Sequence, residues 1–229
     1  MRSSPARHRY EADSSSRRIR NMELKRERIC AAASRLFDER HFDSVTVQAI
    51  AEAADVATGT LFRYASSKAD LLLMAYNAVF ESAITAGAAS AASHPTNTDA
   101  IMAVIGPTVA AAARNPRNTM VYQRELLFGD ADNRFREDGL ALVARLENRI
   151  ADILAPSAST PQSGVAAPTR EAADHAARSV FAVLHLLLAN PGAVIEFKPG
   201  SSVYRHLREQ ISQIVLGFRE SSLSHTTKE

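Results

Sequence analysis

The sequence predicts an all-α protein, made of a small N-terminal helical head and a larger C-terminal helical body. Three observations predict it. Apolar residues recur at helical spacing over most of the chain, and no stretch of useful length alternates with the period of a strand. The 229 residues include only 9 Gly, 9 Pro and no Trp, while alanine is abundant, a composition that suits close-packed helices. Breaks such as Asn115-Pro116, Gly129-Asp130, the Pro/Ser/Gly-rich stretch 156–168 and Asn190-Pro191-Gly192 divide the periodic stretches. With 46% apolar residues the chain can build a sizeable core.

Taken in order, residues 1–22 read as a disordered basic arm. Arg2, Arg7, Arg9, Arg17, Arg18 and Arg20, continued by Lys25, Arg26 and Arg28, face only Glu11, Asp13, Glu23 and Glu27. Such an arm is either a solvated tail or a neutraliser of phosphates. A helix follows over about 23–39, with Ile29, Ala33, Leu36 and Phe37 as its buried stripe. His41-Phe42-Asp43-Ser44 make a turn, and Thr46 caps or opens the next helix. Two short helices over about 46–54 and 58–64 are separated by Asp55-Val56-Ala57. A long amphipathic helix over about 68–92 is apolar at Leu71, Leu72, Ala75, Tyr76, Val79, Phe80 and Ala83. Beyond the break at Ser93-His94-Pro95-Thr96-Asn97, five helices are expected, near 98–114, 117–129, 132–155, 168–190 and 201–220. Asn115-Pro116, Gly129-Asp130, the Pro/Ser/Gly-rich loop 156–168 and Asn190-Pro191-Gly192 divide them. The domains are therefore the arm 1–22, the head 23–84 and the body 85–229.

Several function classes find no support. The net charge of +2 says little by itself. The single cysteine, Cys30, excludes an internal disulfide framework and fits a reducing cytoplasm; beside Ala31, Ala32 and Ala33 it reads as a small core residue. The most apolar run, 180–189, is too short to span a membrane, and the N-terminus lacks the apolar segment of a secretory signal. No phosphate-binding glycine loop, nucleophile motif or Cys/His metal spacing is present, so neither an enzyme, a metal site nor a cofactor is expected. Glu171, Asp174, His175 and Arg178 share a helix but read as an exposed charged face.

The stretch 46–72, TVQAIAEAADVATGTLFRYASSKADLL, carries the function. A helix as short as 58–64, polar on one face, cannot stabilise itself. It makes sense if its inner face packs on neighbours while its outer face reads something, as in a helix-turn-helix. From Arg28 to Leu72 the chain resembles the DNA-binding head of the TetR family of bacterial transcriptional regulators. Arg28-Ile29, Leu36-Phe37, Phe42, Val45-Thr46-Val47, Ile50-Ala51, Val56, Gly59-Thr60-Leu61 and Ser67-Lys68 before Leu71-Leu72 carry the resemblance in order. It implies that Thr46 and its helix start hold a phosphate, that Gln48 and Arg63 read base edges, and that Thr58 and Thr60 approach the backbone or a thymine methyl. Gly59 would let the helix sit close in the groove, Tyr64 would contact DNA, and Lys68 would grip a phosphate. Four residues depart from the family pattern: His41 and Asp55 stand where Gly is usual, Phe62 where Tyr is, and Ala65 where Phe is. His and Asp both tolerate a left-handed backbone.

The resemblance further implies a homodimeric repressor, released from double-stranded operator DNA by a small molecule. Apolar stripes on the helices near 168–190 (Val180, Phe181, Leu184, Leu187, Leu188) and 201–220 (Val203, Leu207, Ile211, Ile214, Val215, Phe218) are wide enough for a core and a partner. Met102, Met120, Tyr122, Phe128, Phe135, Phe181 and His185 are of the kind that line an effector pocket, and the scarcity of charge around them points to an apolar or amphipathic effector. The alternative is a helical DNA-binding protein whose body holds a protein partner and no small ligand. A drug-sized enclosed cavity in the body favours the first, a solid core the second.

Overall fold

The computed structural model describes residues 5–155, 169–189 and 196–224. Arg2 and the expected loops at 156–168 and 190–192 lie outside the described residues. The described residues form helices and connecting turns with no strand. In order these are α1 Pro5–Glu39, α2 Val47–Ala53, α3 Thr58–Leu61, α4 Lys68–Ser90, α5 Asn97–Arg114, α6 Pro116–Phe128, α7 Arg134–Leu154, α8 Arg170–Leu188 and α9 Ser202–Ser224. Side-chain caps start several of them: Thr46, Thr96, Asn115, Asn133 and Thr169 each accept a backbone N–H from the first turn.

Two expectations change. Helix α1 begins at Pro5 and not near residue 23, so the described part of the supposed arm is helical. The reason lies in the sequence: Pro5 suits a first helical position, and no Gly or Pro interrupts residues 6–39. The described side chains from Arg17 to Arg28 are all exposed, so none of them contributes to a core. The second concerns membranes. Helix α4 is long and apolar enough to cross one by length and composition, which the sequence reading overlooked; most of it is buried inside the protein.

The chain divides into two compact units, the first ending at Ala75 and the second starting at Tyr76. In the first, Ile29, Ala33, Leu36 and Phe37 of α1 are buried together with Ile50, Ala51, Leu61, Leu71 and Leu72. Each such Leu, Ile or Phe contributes about 1.5–3 kcal/mol by leaving water. In the second, α8 packs on α7 and α9, and α5 packs on α7 and α9. Their buried faces include Ile101, Ile105, Leu126, Ile150, Leu184 and Ile211. Two glycines set close crossings there. A Cβ on Gly87 would lie 2.0 Å from the Val104 carbonyl oxygen, so α4 and α5 meet backbone to backbone. A Cβ on Gly139 would lie 2.7 Å from Leu126 Cδ1 and 2.9 Å from Asn77 Oδ1. Beside it, Asn77 Nδ2 donates to the Phe135 carbonyl at 2.7 Å and Tyr122 donates its hydroxyl to Asn77 Oδ1 at 2.8 Å, which satisfies three buried polar groups.

Candidate nucleic-acid interface and effector cavity

The first unit is organised around the turn between α2 and α3. Helix α2 ends in a Schellman motif: Val56 N–H donates to the Ala51 carbonyl at 3.0 Å and Asp55 N–H to the Glu52 carbonyl at 3.1 Å. This closure needs a left-handed residue, and Asp55 supplies it with φ 52°, the one non-glycine with positive φ among the described residues. Arg28 donates to the Asp55 carboxylate at 3.2 Å, tying α1 to this turn. At the other departure, His41 is extended, with φ −69°, so the missing glycine costs nothing there.

Helix α3 is shorter than expected, four residues in place of seven. Past Leu61 the chain tightens into i→i−3 turns, Arg63 N–H to Thr60 O at 3.1 Å and Tyr64 N–H to Leu61 O at 2.8 Å. Leu61 and Ala65 are buried beneath this segment. Above it Gly59, Phe62 and Arg63 are exposed, and Thr58, Thr60 and Tyr64 half-buried. Arg63 has no ion pair among the described residues. A Cβ on Gly59 would meet nothing within 4 Å, so packing inside the protein does not require glycine there. Thr46, the N-cap of α2, accepts Ala49 N–H at 3.1 Å. The exposed Gln48 donates its amide N–H to Glu52 at 3.1 Å.

Lys68 has an internal task as well. Its Nζ donates to the Phe42 carbonyl at 2.9 Å and lies 4.3 Å from the centre of the Phe42 ring, which stacks on Phe37. The ammonium thereby latches the 42–44 turn to the start of α4. The sequence reading missed the cap beside it. Ser67 Oγ accepts Asp70 N–H at 3.0 Å, while Asp70 accepts Ser66 N–H at 2.8 Å and the Ser66 hydroxyl at 2.6 Å. The spacing S-x-x-D was the available signal. Cys30 is half-buried, its thiol pushed up by burial and 3.8 Å from the Met74 carbonyl, as befits a core residue.

The second unit contains a cavity of about 30 Å³, widening to about 380 Å³ when the space open to solvent is included. Phe80, Leu126, Leu142, Leu146, Phe181 and Leu184 give it apolar walls, with Tyr122, Thr108 and Gln123 as polar members. Of the residues proposed from sequence, Tyr122 and Phe181 line it. His185 does not, but its Nδ1 lies 2.7 Å from Oε1 of Gln123, which does. Burial lowers the His185 pKa, and burial raises that of the Tyr122 phenol. Met102 and Phe135 are buried elsewhere in the core, and Met120 is half-buried away from the cavity. Phe128 is a correction: it is 81% exposed at the end of α6, off the stripe Thr119, Tyr122, Gln123 and Leu126 that turns inward. The signal for Thr108 was its register, since it occupies a core position of the run Ile101, Val104, Ile105, Thr108, Val109 and Ala112.

Among the described residues no hydrogen bond or ion pair joins Glu171, Asp174, His175 and Arg178 to one another. Instead Arg170 bridges α8 to α7 through Asp152 at 2.6 Å and Asn148 at 2.7 Å, besides Asp174. Among the described residues no cluster of His, Cys, Asp and Glu could hold a metal.

Comparison with known proteins adds the following. Residues 29–75 match the family of bacterial regulatory proteins, tetR family. Over 107 residues the chain is 34% identical to the HTH-type transcriptional repressor KstR of Mycolicibacterium smegmatis, a stretch that covers 47% of this chain and 52% of that one. The chain thus spans about half the length of the curated relatives it matches. A TetR transcriptional regulator from Rhodococcus sp. RHA1 shares the fold with a TM-score of 0.62 at 16% identity, over 85% of this chain and 97% of that one. FadR from Thermus thermophilus, a TetR family repressor solved with lauroyl-CoA, does so with a TM-score of 0.56 at 22% identity, over 85% and 93% of the two chains.

Proposed function

This chain belongs to the tetR family of bacterial regulatory proteins, and from that premise we propose that it is a cytoplasmic, homodimeric repressor whose body binds an apolar or amphipathic effector. The observation that carries the reading is the segment after the Schellman turn. Leu61 and Ala65 anchor it from below, and it presents Arg63 exposed and free of any carboxylate among the described residues. A guanidinium so placed can take guanine O6 and N7 bidentately, with Gln48, Thr58, Thr60 and Tyr64 beside it and Thr46 and Lys68 toward phosphates. The apolar walls around Tyr122 and Phe181 support an effector with an apolar part; the lauroyl-CoA held by the Thermus FadR is amphipathic, an apolar acyl chain on a polyanionic CoA head.

The test is to select binding sites from randomised duplex DNA with the full chain, then titrate the selected site and a scrambled duplex. Arg63→Ala should weaken the selected site by about 1–3 kcal/mol and leave the scrambled one nearly unchanged. Equal losses on both would remove Arg63 from base reading. One observation favours a second reading, a body that binds a protein partner: the cavity of about 30 Å³ holds a water or two, far below the roughly 300–1,000 Å³ of a drug-sized site. A melting-temperature screen against amphipathic compounds separates the two, since a ligand of the folded state raises it.

A further inference from the structure

Thr108 is 5% exposed, lines the cavity, and its hydroxyl has no hydrogen-bond partner among the described residues. A helical threonine ordinarily returns its hydroxyl to the carbonyl one turn back, and this one does not. Packing alone would be met by valine, which has the same shape without the polar atom. Pro107, immediately before it, interrupts the α5 hydrogen-bond ladder at the same level. The remaining walls carry no Lys, Arg, Asp or Glu. The neighbouring imidazole, His185, faces Gln123 and Phe181, and burial lowers its pKa and so disfavours its charged form. A carboxylate or phosphate drawn into this site would meet no counter-charge.

Resting on the ligand-responsive reading above, we propose that the cavity accepts an elongated apolar molecule bearing an uncharged carbonyl, a ketone or ester, whose oxygen accepts the Thr108 hydroxyl. The unpaired donor makes the hydrogen bond that the protein leaves unmade, and Phe80, Leu126, Leu146 and Leu184 bury the alkyl chain. The space is small as it stands, so entry displaces side chains. Phe181 is the half-buried aromatic among these walls, whereas Phe80 and Tyr122 are buried.

The experiment uses the full chain, 2-decanone and decanoate as probes, and the variants Thr108→Val and Thr108→Ser. Melting temperature and release of the selected duplex are read against probe concentration. On the wild type and Thr108→Ser, 2-decanone should raise the melting temperature and release DNA, while decanoate does neither. Thr108→Val should bind 2-decanone about tenfold more weakly. The same variant should melt higher without ligand, because it buries no unmade hydrogen bond; this also shows that it folds. Equal binding of 2-decanone by wild type and Thr108→Val, or decanoate acting as well as the ketone, overturns the proposal and leaves the ligand-responsive reading intact. Silence of both probes overturns the proposal, and silence of the whole amphipathic panel with it overturns that reading too.

Discussion

Lys68 and His185 show how a side chain's surroundings revise the role its residue type suggests. The resemblance makes Lys68 a phosphate grip, yet its ammonium already donates to the Phe42 carbonyl at 2.9 Å and sits over the Phe42 ring. An ammonium has three donors, so the latch and a phosphate contact are compatible. Lys68→Ala should therefore do two things: lower the urea-unfolding stability by about 1–2 kcal/mol through the lost charged hydrogen bond and cation–π contact, and weaken binding to every duplex with a flatter salt dependence. A lowered affinity with unchanged stability would mean that the latch contributes nothing. For His185 the folded pKa lies below the ordinary value of 6.5 because burial disfavours the imidazolium. The unfolded chain then binds the proton more readily, so this stabilising contribution is complete above about pH 7 and is lost as the pH falls through 6.5 toward the lower folded value. Unfolding midpoints from pH 8 to 5 should fall less steeply for His185→Gln than for the wild type, and parallel curves would refute the linkage. Neither role was legible in the sequence, because each depends on a partner far along the chain, 26 residues away for Lys68 and 62 for His185.

Most elements could be read from the sequence, since capping residues and breakers bound them. Thr46, Thr96, Asn115 and Thr169 cap where a polar residue precedes an apolar run, and α4 to α9 fall within about two residues of the expected ranges, apart from the last turn of α9. The start of α1 was missed for a different reason. Ser- and Arg-rich composition suggests a tail, whereas a helix needs only the absence of a breaker and a stable segment to extend from, here Ile29 to Phe37. Helix crossings were not legible either. Gly87 lies in the last turn of α4, still within the helix and short of the C′ position that favours glycine, and its reason appears only in the α4–α5 contact. Because the obstructing atom is the Val104 carbonyl oxygen, 2.0 Å from where an alanine methyl would sit, the neighbour cannot yield by changing rotamer. Gly87→Ala should destabilise the protein by about 2–3 kcal/mol despite alanine's better helix propensity. Gly59→Ala, with nothing within 4 Å, should be neutral or slightly stabilising in the same urea titration. If the two variants unfold alike, close approach is not what fixes the glycine at 87.

For the whole molecule, the question is how one short reading segment acquires useful specificity. Arg63 and its neighbours can contact only a few base pairs, so a two-fold partner reading a second half-site is the economical arrangement. The second unit offers a face for it. Val180, Leu184 and Leu188 of α8 are buried, as are Leu207, Ile211, Val215 and Phe218 of α9. Leu186 remains 74% exposed and Leu216 54% exposed on the same two helices. A single exposed leucine needs no explanation; two, on the helices where the resemblance places an intersubunit bundle, are the positions where a second copy would be tested. Ala182 and Gly217, both small and exposed, would let the two copies approach closely. Leu186→Asp combined with Leu216→Asp places charge on that face without touching the buried stripe. Sedimentation velocity should show the wild type as a dimer and the double variant shifted to monomer. Affinity for a palindromic selected site should fall by more than tenfold, while binding to a scrambled duplex changes much less. Retention of the dimer by the double variant would move the interface away from α8 and α9. A monomeric wild type would instead remove two-fold reading from the mechanism altogether.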